Sequence, residues 1–173
     1  HGYNIEGHLD TEALNKTGKL DTQVRRIRWE FLGGEVAEEA EKHQFGKLKL
    51  LIDTDGDGIM DQAKVWADDI PPCYGIVPAE GGIIVACAPH IMFYADRDGD
   101  GVPEVRETLF TGFEVDTIER GINNPIWSVD NWIYVGSSGG GGTITGPHLK
   151  NPVKLGSSDF RIKADGTAIE PVN

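Results

Sequence analysis

Cysteine is scarce in this chain of 173 residues: only Cys73 and Cys87 are present. Two cysteines cannot build a multi-bridge scaffold or a four-cysteine metal site. No C-x-x-C-H occurs, so covalent c-type haem is not expected in this chain. No apolar run approaches the roughly 20 residues that a membrane-spanning helix needs. Basic residues are outnumbered 16 to 28, and the formal charge of −12 disfavours nucleic acid and anionic membranes as partners. Helix-forming runs are also rare. The 23 glycines and 9 prolines exclude a helix bundle and point to many turns between short strands. What remains is a chain with 39% hydrophobic residues, enough for a packed core.

The acidic residues are concentrated. Asp53, Asp55, Asp57 and Asp61 fall in one short window, and Asp96, Asp98, Asp100 and Glu104 in another. Crowded carboxylates repel one another unless a cation lies among them. Leu48–Ile70 (LKLLIDTDGDGIMDQAKVWADDI) aligns with Ile91–Phe113 (IMFYADRDGDGVPEVRETLFTGF) at an offset of 43 residues, acid on acid and glycine on glycine. A repeat of that length fits one blade of a β-propeller.

The D-x-D-x-D-G pattern suits calcium, a hard cation that takes six to eight oxygens. The first loop offers Asp53, Asp55, Asp57, the carbonyl of Ile59, and Asp61. The second offers Asp96, Asp98, Asp100, the carbonyl of Val102, and Glu104, with Glu107 at the twelfth position. The twelfth residue of the first loop is Lys64, which cannot serve. The flanking residues favour strands, so these are EF-like loops in a β setting. Two structural Ca²⁺ ions are the expectation, and solvated acidic turns are the alternative.

Other stretches read as strands. Tyr74–Pro78 and Gly82–Ala88 form an expected hairpin, as do Pro125–Val129 and Trp132–Gly136. Phe160–Lys163 and Thr167–Val172 form a third. Val24–Leu32 alternates apolar and charged residues like a strand, and Glu35–His43 looks like a short polar helix. Ser137–Pro147 reads as a loop. Gly136-Ser137-Ser138-Gly139-Gly140 at its entrance formally matches G-x-S-x-G, but more glycine and not a helix follows, so a nucleophile elbow is rejected. The expected fold is all-β: a propeller, or a partial one of about three blades, with a β-sandwich as the alternative. Residues 1–45 read as an extension with a first strand and a polar insertion, and 46–173 as blades. A closed propeller typically has four to eight blades. Another polypeptide, or copies of this one, would then complete the sheet edges. Starting on His1 and ending on a strand-like run, the chain is expected to be a piece of something longer.

Cys73 and Cys87 are placed symmetrically about the first hairpin turn, which sets them opposite one another. They would be bridged in an exported protein and would otherwise be buried thiols. His90, Arg120 and Asn123 are candidates for a polar ligand at a channel mouth, or for turn capping.

Taken together, the phrases LLIDTDGDGIMDQAKVWADDI, GIVPAEGGIIVACAPHIMFYADRDGDGVPEVRETLFTGF, NNPIWSVDNWIYVGSSGGGGTI and SSDFRIKADGTAIEPV resemble a known family. It is the N-terminal propeller of PVC-type haem-binding proteins, also described as membrane-bound dehydrogenases. The resemblance covers roughly residues 45–173. It implies a sugar-dehydrogenase-like propeller and export to the periplasm or the extracellular space. The family's H-R-x-N phrase reads Glu119-Arg120-Gly121-Ile122-Asn123 here, without its histidine, so quinone-dependent sugar oxidation is not carried over. The expected function is a calcium-stabilised binding or assembly module of an exported redox or envelope system. The alternative is part of a sugar or alcohol dehydrogenase.

Overall fold

The computed structural model describes residues 46–71, 73–114, 121–137 and 139–172. Val24–Leu32, Glu35–His43 and Arg120 lie outside the described residues. Within them the chain is all-β, with twelve strands in chain order. These are β1 (Gly46–Ile52), β2 (Gln62–Ile70), β3 (Gly75–Ala79), β4 (Gly82–Cys87), β5 (His90–Ala95), β6 (Val105–Phe113), β7 (Ile122–Trp127), β8 (Ile133–Ser137), β9 (Gly142–Thr145), β10 (Val153–Leu155), β11 (Phe160–Ile162) and β12 (Ile169–Pro171). They form three open sheets, ordered β1-β2, β10-β9-β6-β5-β4-β3 and β12-β11-β8-β7. The described residues close neither a barrel nor a propeller ring. Among the described residues no helix is long and apolar enough to cross a membrane.

Strand β4 shows why the six-stranded sheet lies in the middle. Its sequence GIIVAC is apolar on both faces, and successive side chains point to opposite sides. Ile84 and Ala86 enter the larger core, shared with Ile133, Val135, Phe160 and Ile162 of the four-stranded sheet. Val85 and Cys87 enter a smaller core with Ala67 and Ile70 of β2 and Tyr94 of β5. Strand β11 is one-sided by contrast. Phe160 and Ile162 are buried, while Arg161 points outward and pairs with Asp130 and Glu170, each at 2.9 Å.

Two stretches repeat the same path. β3-β4-β5-β6 is an antiparallel meander, and so is β7-β8-β11-β12. The β9–β10 hairpin leaves the second meander and joins the edge of the first at β6. The loop expected over Ser137–Pro147 is therefore wrong in part, because Gly142–Thr145 is strand β9. The glycines explain it. A Cβ at Gly140 would fall 2.7 Å from the Glu114 carbonyl oxygen, and one at Gly141 2.5 Å from that of Leu155. Bare backbone is what lets β9 come within pairing distance of its neighbours, a signal that strand propensity does not register.

Cys73 and Cys87 are joined, with their Cα atoms 4.1 Å apart. The hairpin turn is Glu80-Gly81, so Gly75 faces Ala86, and this register extended would place Cys73 opposite Ala88. A one-residue slip corrects this. Tyr74 also donates its N–H to the Ala86 carbonyl, at 2.8 Å, so two residues face one, as in a β-bulge. Cys73 is thereby returned to the level of Cys87. The bridge closes a loop of 14 residues in sequence separation. Loop-closure entropy gives such a bridge about 3 kcal/mol. Chemical denaturation of the Cys73→Ser/Cys87→Ser chain should show a loss of that order, and an unchanged midpoint would contradict it.

Candidate metal centre

The two acidic windows are the β1–β2 and β5–β6 turns. They have the same internal wiring. In the first, Asp53 accepts the N–H of Gly56 at 2.7 Å on one carboxylate oxygen and that of Gly58 at 2.8 Å on the other. In the second, Asp96 accepts Gly99 at 2.7 Å and Gly101 at 2.8 Å in the same way. Asp55 accepts the N–H of Asp57, and Asp98 that of Asp100. Asp57 accepts from Ile59, and Asp100 from Val102. The fourth acid closes each loop onto its second residue. Asp61 takes the Thr54 N–H at 3.2 Å, and Glu104 takes the Arg97 N–H at 2.8 Å.

Glycine is required at the turning points. Gly56 and Gly58 have φ of 79° and 88°, and Gly99 and Gly101 have φ of 76° and 84°. These are left-handed conformations that side chains with a Cβ disfavour. Each loop thus carries an acid, a left-handed glycine, an acid and a second left-handed glycine, which coils the carboxylates around one point. One oxygen each from Asp53, Asp55 and Asp57 lie within 4.8 Å of one another, as do oxygens of Asp96, Asp98 and Glu104. Either group could hold a metal ion.

The backbone amides also tune the acids. Those of Gly58 and Gly56 hold the Asp53 carboxyl below its usual 3.8. The Thr54 hydroxyl and amide hold Asp61 low as well. Hydrogen bonds to the ionised form favour it, so these groups keep their charge into mild acid. An ionised all-oxygen donor set is hard, and it suits calcium, magnesium or manganese better than softer ions.

Not every expected ligand joins its group. Glu107 lies on β6 opposite Phe93, and its carboxylate is 2.7 Å from Nε2 of His148. It is engaged there instead of in the second acidic group. Asp61 and Asp100 belong to their loops but not to the three-residue clusters. Ile59 and Val102 are exposed at the loop tips, where they donate N–H groups to Asp57 and Asp100.

Sequence reading missed two participants. The Thr54 hydroxyl donates to Asp61 at 2.5 Å, and Lys64 reaches across so that its Nζ fills the space beside Gly101. The residue at the ligand-poor twelfth position of the first loop thus reaches the second loop as a cation. A hydroxyl at position two and a lysine at position twelve match no metal motif, so only the folded arrangement reveals them.

The same turn of the second meander, between β11 and β12, carries no such group. There Asp165 accepts from the N–H and hydroxyl of Thr167, at 3.0 and 2.6 Å, and forms a tight turn.

The other candidates lie at the opposite end of the strands. Nδ1 of His90, at the start of β5, is 2.8 Å from the Thr111 hydroxyl of β6. Asn123, on β7, donates its side-chain amide to the Gly121 carbonyl at 3.1 Å. His90 thus bonds across two strands, and Asn123 bonds back to the residue that precedes β7.

The match to a family model covers residues 29–173, a span that holds both acidic turns and all three sheets. The chain belongs to the DUF7133 family, described as a domain of unknown function. Comparisons with curated proteins and with solved structures each found no match. In this DUF7133 chain the geometry of the two acidic loops is what points to a function.

Proposed function

We propose that this chain is a calcium-stabilised segment of a β-propeller that serves as a non-catalytic binding or assembly module in an exported redox or envelope protein. The observation that carries the proposal is the pair of acidic turns with the same hydrogen-bond wiring, 43 residues apart. A chance acidic surface would have no reason to repeat its backbone bonds. Calcium is favoured because its coordination is large and tolerant, as a loop with several carboxylates at one point requires. Each ion would bridge the two strands of its turn and hold their register.

Three further features support the reading. The two meanders share one core, and β7 lies against β3 and β4, as strands of neighbouring blades would. The Cys73–Cys87 bridge fits an oxidising compartment, hence the periplasm or the extracellular space. Among the described residues β3 and β10 end the six-stranded sheet and β7 and β12 the four-stranded one, and open edges are where another polypeptide or a second copy pairs. The resemblance to PVC-type haem-binding proteins agrees with all three.

Calcium should raise the thermal midpoint of the purified chain. A ligand that binds only the folded state adds about 2.7 kcal/mol per site at a hundredfold excess over Kd. The check is a melting curve in excess calcium against one in excess chelator. Superimposable curves would remove the stabilising role.

A further inference from the structure

We draw no further inference here: the strongest candidate, the face of the β1–β2 sheet on which Leu51 (56% exposed) and Val65 (46% exposed) lie together, carries nothing because nothing in the structure shows what covers it.

Discussion

Replacing Asp53 or Asp96 with alanine should remove one bound calcium ion each, and the double replacement should remove both. These two acids open their loops and have the most to lose. Each supplies an oxygen to its group and also takes two backbone amides, Gly56 and Gly58 in one loop and Gly99 and Gly101 in the other. Changing a residue that only supports a ligand typically costs 10–100-fold in metal affinity, and losing a ligand costs more. Affinity at the altered loop should therefore fall by more than about 100-fold, measured by calorimetric titration. The other loop should keep its affinity, since among the described residues the carboxylates of each loop take hydrogen bonds only from their own loop. Asparagine is the informative control. Asp53→Asn keeps an oxygen for one amide but loses the charge, so the loop should hold its shape better than its ion. An Asp53→Ala, Asp96→Ala chain that bound calcium normally would show that the ions sit elsewhere.

The largest expected loss of stability lies far from the loops. Phe160 is 1% exposed and stacks on Phe113 with ring centroids 5.2 Å apart. It joins β11 to both neighbours, opposite Val135 of β8 and Pro171 of β12. Through Phe113 of β6 it also ties the four-stranded sheet to the six-stranded one. Phe160→Ala should cost about 3–5 kcal/mol, the usual range for a large aromatic truncated in a core. Denaturant unfolding with calcium chelated isolates this term from any metal contribution. Val129, fully exposed beside the β7–β8 turn, is the reference: its alanine variant should stay within about 0.5 kcal/mol of the parent. If Phe160→Ala behaved like Val129→Ala, the packing of the two sheets would be wrong.

Most of the strands could be read before folding because two periodicities coincide. Alternation marks the one-sided strands, as in Phe160-Arg161-Ile162, and turn residues mark their ends. The 43-residue offset then links β1-β2 to β5-β6, since the same acids and glycines must make the same turn. The acidic loops were legible for a related reason. Each carboxylate cluster is local, so the spacing of carboxylates along the chain nearly determines their spacing in space.

What escaped was non-local. Strand β9 forms because Gly140 and Gly141 let backbones approach, which composition alone reads as a loop. Glu107 fits the twelfth position by count, yet the β6 register carries it to His148, which arrives from the β9–β10 connection. The opposition of Cys73 and Cys87 was expected from symmetry about the turn. It is realised only through the slip at Tyr74 and Gly75. In each case the decisive partner is distant in sequence, and no local pattern encodes it.

On the function proposed above, each acidic turn holds one calcium ion. Native mass spectrometry of the purified, unaltered chain tests it most directly, after exposure to calcium and again after a chelator. The expected result is a species carrying two calcium ions that returns to the bare mass once they are chelated. A chain that keeps its bare mass in excess calcium would contradict it, and would leave both turns as solvated acidic loops.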